Sequence, residues 1–161
     1  MERQRTHRCR FFHYSALHRS ILAGKYSGII LLSMHFGEHI TIDGYEGDHD
    51  RLNDRDAVLS SLTELCDALR MSPLMPPMIL SAPDNHLKDP GGWSAFVMIA
   101  ESHISIHTFP KRRFISADVY TCQNNMDVDY VVNFFKQKFK LGDVESNFIK
   151  RGMRYPEHNL V

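Results

Sequence analysis

Three strand-like stretches stand almost end to end between residues 94 and 121, joined by links too short for a crossover. Residues 94–101 are almost wholly apolar, as expected of a strand inside a sheet. Residues 103–109 alternate, with Ile104 and Ile106 on one face and His103, Ser105 and His107 on the other. After a basic turn at 110–113, residues 114–121 alternate again. Parallel neighbours need a connection of about a dozen residues or more, so these strands are expected to pair antiparallel. Residues 38–45 alternate around Ile40 and Ile42 and close at Gly44 and Gly47. Asp54 or Asp56 can cap a helix to about Arg70, whose Val58, Leu62, Leu65 and Leu69 fall at helical spacing. Residues 72–92 are turn-rich, with a short apolar run at 78–80. Asp127 caps a second helix to about Lys140, striped by Val128, Val131, Val132, Phe135 and Phe139. Residues 144–151 supply a last strand. The pattern predicts an α+β two-layer sandwich, an antiparallel sheet with helices packed on one face.

Composition narrows the function classes. Of 161 residues, 43% are hydrophobic and 24% charged, which suits a globular domain rather than a disordered chain. The formal net charge is zero, so no basic nucleic-acid footprint covers the protein. No apolar run is long enough for a membrane span. Cys9, Cys66 and Cys122 are far apart, and no CxxC is present. A disulfide framework and a cysteine zinc site are therefore not expected, and a reducing, cytoplasmic compartment is. The charge is uneven along the chain, however. Residues 1–33 carry Arg3, Arg5, Arg8, Arg10, Arg19 and Lys25 against Glu2 alone. They read as a basic N-terminal extension: a weakly ordered tail, a transit-like segment, or residues preceding a start at Met34. Residues 34–161 are the expected domain.

Chemistry concentrates in one strand. Glu101, Ser102, His103, Ser105 and His107 stand close together, and burying such groups without partners costs ~1–3 kcal/mol each. Solvent, a hydrogen-bond network, a metal or an active site must satisfy them. His103 and His107 share a face but sit ~13 Å apart along a strand, too far for one metal ion. No Gly-x-Ser-x-Gly elbow supports a serine hydrolase.

The run Ala100-Glu101-Ser102-His103-Ile104-Ser105-Ile106-His107-Thr108-Phe109-Pro110, followed by Ala117-Asp118-Val119-Tyr120-Thr121-Cys122, resembles the prokaryotic S-adenosylmethionine decarboxylase proenzyme family. Gly37-Glu38-His39 and Ile149-Lys150-Arg151-Gly152 extend the similarity over about residues 35–154. The resemblance implies a self-processing enzyme that cuts itself between Glu101 and Ser102. Ser102 would become a covalent pyruvoyl group, the cofactor. Ser94, eight places upstream, and His107, five places downstream, match the residues that assist processing; Cys122 matches the catalytic cysteine. In that reading Ser94 donates a hydrogen bond to the oxyanion, His107 removes the α-proton of Ser102, and Cys122 returns a proton to the decarboxylated carbon. The pyruvoyl ketone does the electron-sink work that pyridoxal phosphate does elsewhere. The resemblance further implies a small-molecule substrate, a homodimer of processed protomers with sites near the interface, and a product that feeds spermidine synthesis. No metal, nucleic acid or membrane is implied.

The sequence departs from the family pattern in one informative place. His-Thr-Trp-Pro-Glu is replaced by His107-Thr108-Phe109-Pro110-Lys111. Phe for Trp keeps a flat apolar surface, so Phe109 remains a candidate substrate contact. Lys111 stands where the family has a carboxylate that accepts hydrogen bonds from the ribose hydroxyls, and an ammonium accepts none. Two further readings therefore stay open. One is a pyruvoyl-dependent decarboxylase of L-arginine or L-ornithine, which have no ribose; the other is an unprocessed, inactive partner subunit.

Overall fold

The computed structural model describes residues 35–155. The basic extension expected at residues 1–33, and Met34 as a start, lie outside the described residues. Within the described residues the order is β1 (Gly37–Tyr45), α1 (His49–Asn53), α2 (Arg55–Ala68), β2 (Met78–Ala82), β3 (Gly92–Ile99), β4 (Ser102–Phe109), a 3-10 turn (Pro110–Arg112), β5 (Phe114–Thr121), α3 (Val128–Phe139) and β6 (Asp143–Arg151). The six strands form one sheet in the order β2-β3-β4-β5-β1-β6, and every neighbouring pair is antiparallel.

The alternation predicts the buried face correctly. Ile40 and Ile42 of β1, Ala95, Val97 and Ile99 of β3, Ile104 and Ile106 of β4, and Ile115, Ala117 and Val119 of β5 are all buried. They meet Val58, Leu62 and Leu65 of α2 and Val131, Phe135 and Phe139 of α3 in one core. Val128 and Val132 sit at its margin, half-buried. The fold is thus the expected α+β arrangement, with one strand face buried under helices.

Two boundaries differ from expectation. The helix before residue 70 is divided, because Asp54 is both the last residue beyond α1 and the N-cap of α2. Its carboxylate accepts from the N–H groups of Asp56 and Ala57, and Asp48 caps α1 by accepting from the Arg51 N–H. A single apolar residue, Leu52, anchors α1, so no periodicity announced it. The central strand stops at Ile99 rather than Glu101. Ile99 pairs with Ser102, which leaves Ala100-Glu101 as a two-residue turn. No helix among the described residues is long and apolar enough to cross a membrane.

Candidate active site

The tight β3–β4 turn puts the Glu101–Ser102 peptide bond at the tip of a hairpin. Ser102 begins β4 with φ at +153°. L residues rarely adopt positive φ, and holding one there costs ~1–3 kcal/mol. The neighbouring contacts fix this geometry from several directions. The Cys122 N–H donates to the Glu101 carbonyl oxygen at 2.9 Å. The Glu101 carboxylate accepts from the Ser72 N–H at 3.1 Å and from Gln123 Nε2 at 3.3 Å. On the far side of the turn, the Ala100 N–H donates to the Ser72 carbonyl at 2.8 Å. The Glu101 carbonyl therefore already holds one hydrogen-bond donor, the kind of group that stabilises an oxyanion.

Cys122 follows Thr121, the β5 residue opposite Ser102, and its thiol is exposed. Gly37 is what lets β1 run beside it. A Cβ at that position would meet the Thr121 carbonyl oxygen at 2.5 Å and Cys122 Cα at 3.2 Å. The next residue, Glu38, is buried and braces the loop after Cys122. It accepts from the Met126 N–H at 2.7 Å and lies 3.0 Å from His35 Nε2. Desolvation pushes its carboxyl up, but the Met126 and Asn125 N–H groups and His35 together outweigh that and leave it below the ordinary carboxylate range. By contrast Cys66 is fully buried, and burial pushes its thiol up to about 11.

Ser94 and His107 form a second cluster. They face each other across β3 and β4, and Ser94 Oγ lies 2.9 Å from His107 Nδ1. If Nδ1–H donates to Ser94, Nε2 is left as a free base. His107 stands five positions after Ser102, which is ~17 Å along β4. One chain thus brings Glu101, Ser102 and Cys122 together, and Ser94 with His107, but does not join the two groups. The donor beside the Glu101 carbonyl is the Cys122 N–H, a backbone group with no sequence signature.

The other polar residues of β4 have partners on the sheet face away from the helices. Ser105 Oγ donates to Asp118 Oδ2 at 2.5 Å, while Asp118 Oδ1 lies 3.2 Å from His39 and 3.4 Å from His103. Tyr120 packs beside both imidazoles, with the Arg151 guanidinium 4.2 Å from its ring centre. Asp118 thus gathers these groups, hydrogen-bonded to Ser105 and His39 and within ion-pair distance of His103.

Lys111 and Phe109 point to different places. Lys111 Nζ pairs with Asp84 Oδ2 at 3.2 Å, and both line a cavity of about 340 Å³ with Trp93 and His49. The His86 N–H, and after it Lys111, hold the Asp84 carboxyl below the ordinary carboxylate range. Phe109 instead stacks near Phe114 and lines a neighbouring cavity with Pro90 and Arg112.

Comparison with known proteins identifies the family and the fold. The sequence model of the S-adenosylmethionine decarboxylase family matches residues 38–152. An S-adenosylmethionine decarboxylase proenzyme of Acidithiobacillus ferrooxidans is 31% identical over 128 residues, covering 77% of this chain and 91% of that protein. One from Pyrobaculum islandicum is 33% identical over 117 residues, covering 73% and 89%. The crystal structure of the adenosylmethionine decarboxylase from Aquifex aeolicus superposes with a TM-score of 0.65 at 23% identity, over 78% of this chain and 98% of that one, which establishes the shared fold. A match over most of the domain, with the Glu101–Ser102 hairpin inside it, means that this chain belongs to the S-adenosylmethionine decarboxylase family.

Proposed function

We propose that the chain is a self-processing, pyruvoyl-dependent S-adenosylmethionine decarboxylase, cut between Glu101 and Ser102. The observation that carries the reading is the hairpin tip: Ser102 at φ +153°, with the Glu101 carbonyl oxygen accepting from the Cys122 N–H. Ser102 Oγ adds to the Glu101 carbonyl carbon, the amide C–N bond breaks, and an ester forms as the nitrogen takes up the proton. The Cys122 N–H stabilises the oxyanion of that step. A base then removes the α-proton of residue 102, and the Cβ–Oγ bond breaks, leaving Glu101 as a C-terminal carboxylate. The dehydroalanine tautomerises to an imine, and water releases ammonia and leaves a ketone. Because the nitrogen departs, the strained φ torsion of residue 102 ceases to exist, and its release favours the cut state.

When formed, the pyruvoyl group supplies an electrophilic ketone that engages the substrate amine and takes up the electron pair left by carbon dioxide. In this reading Cys122, one residue beyond the strand position opposite Ser102, returns a proton to the substrate carbon. Asp84 answers the objection raised by Lys111. It neutralises that ammonium and brings a carboxylate acceptor to the same cavity. A nucleoside diol is therefore a better match to the cavity than a second basic group, which favours S-adenosylmethionine over arginine or ornithine.

The functional unit is a dimer in this reading. His107, aligned by Ser94, is the base, and it lies ~17 Å from the Ser102 of its own strand. A second copy related by a two-fold axis can supply the Ser94–His107 pair to the Glu101–Ser102 bond of the first. Carbon dioxide release from S-adenosylmethionine, arginine and ornithine in parallel tests the substrate. Release from S-adenosylmethionine alone is expected, and release from arginine or ornithine alone contradicts the proposal.

A further inference from the structure

We infer that the Glu101 side chain is a positioning residue for self-processing, a clamp that holds the hairpin tip in its cleavable shape. The inference rests on cutting at Glu101–Ser102 and adds the part played by the carboxylate before the cut. A two-residue turn between β3 and β4 does not by itself require positive φ at the first residue of the returning strand. Something must hold Ser102 at +153°, and the contacts of Glu101 supply it.

One carboxylate oxygen accepts from the Ser72 N–H at 3.1 Å, and the other from Gln123 Nε2 at 3.3 Å. Ser72 belongs to the segment after α2, and Gln123 follows Cys122. The side chain thus ties the tip to two separate segments. Ser72 also takes the Ala100 N–H through its carbonyl at 2.8 Å, so both turn residues are bound to one backbone unit. The Glu101 carbonyl is then brought to the Cys122 N–H at 2.9 Å. If the carboxylate is removed, the tip keeps its strand pairing but loses the tether on the acyl side of the scissile bond. The turn can then relax toward negative φ at Ser102, which swings the carbonyl away from its donor. Hydrogen bonds to a charged group are worth enough that losing them should slow cutting about tenfold or more.

The test is the rate of self-cutting, followed by intact mass from the moment of synthesis, beside the melting temperature of each uncut chain. Wild-type protein is the reference; if it does not cut, the functional reading fails and not this inference alone. With wild type cutting, Glu101→Ala should cut at least about tenfold more slowly while melting within a few degrees of an uncut Ser102→Ala control. Glu101→Gln keeps an acceptor for the Ser72 N–H and should recover most of the rate. Gln123→Ala removes the second tie and should slow cutting by a smaller factor; it serves if Glu101→Ala does not fold. The inference is overturned if Glu101→Ala, or Gln123→Ala in its place, cuts at the wild-type rate. It is equally overturned if slower cutting follows the loss of melting temperature and Glu101→Gln restores nothing.

Discussion

Cys66 and Cys122 show how position alone divides one residue type into two roles. Cys66 is buried under the sheet with its thiol pushed up to about 11 by burial, so it packs as a small apolar side chain. Cys122 is exposed, and its N–H donates to the Glu101 carbonyl. A thiol-alkylating reagent at neutral pH is expected to label Cys122 and spare Cys66 in folded protein, with loss of decarboxylation; peptide mapping checks this, and labelling of Cys66 first would contradict it. Glu38 makes a different point. Its folded carboxyl lies below the ordinary range, so the unfolded chain takes up a proton at higher pH than the folded one. Its stabilising contribution is therefore full above about pH 4.5 and is lost as pH falls through the folded value. Glu38→Ala should lower stability by ~1.5–3 kcal/mol at neutral pH, and the difference from wild type should shrink in acid, as denaturant titrations at several pH values would show.

At the level of elements, β1 and the loop between β2 and β3 do work that their own sequences do not advertise. Gly37→Ala would force β1 away from the Thr121 carbonyl and Cys122 Cα. Slower self-cutting is expected, because the Cys122 N–H moves with that strand end; an unchanged cutting rate would contradict it. Asp84 sits in the loop 83–91, opposite Lys111. Asp84→Ala should raise KM for S-adenosylmethionine about tenfold and leave the extent of self-cutting unchanged, as steady-state kinetics on fully cut protein would report. The strands and long helices were legible because alternation and 3.6-residue periodicity report directly on burial, and Ile104, Ile106, Phe135 and Phe139 all follow it. Glu101, Ser102 and His107 were legible as a polar run at one strand, Cys122 only through the family resemblance, and the structure sets His107 apart from the other three. The short helix α1 was not, since one apolar residue sets no period. Nor was the Cys122 N–H as donor to the Glu101 carbonyl, or the tie from Glu101 to Ser72, because backbone groups look alike in any sequence.

The whole molecule explains why the side chains proposed for cutting fall into two groups within one chain. A strand cannot bring its sixth residue back to its first, so Ser102 and His107 stay apart however the rest folds. A dimer that crosses the two halves makes a specific demand. Co-expression of Ser102→Ala with His107→Ala should yield cut His107→Ala chains in mixed dimers, with His107 supplied by the other subunit, although neither variant cuts alone; no cutting in the mixture would contradict the crossed arrangement. Everything else depends on the covalent event at the hairpin tip, which the intact mass of the purified wild-type chain, before and after treatment with a hydrazine, tests most directly. The account predicts two pieces, residues 1–101 and 102–161, with only the second gaining the mass of the hydrazone. A folded wild-type protein that stays one uncut chain and takes up no hydrazine would contradict it.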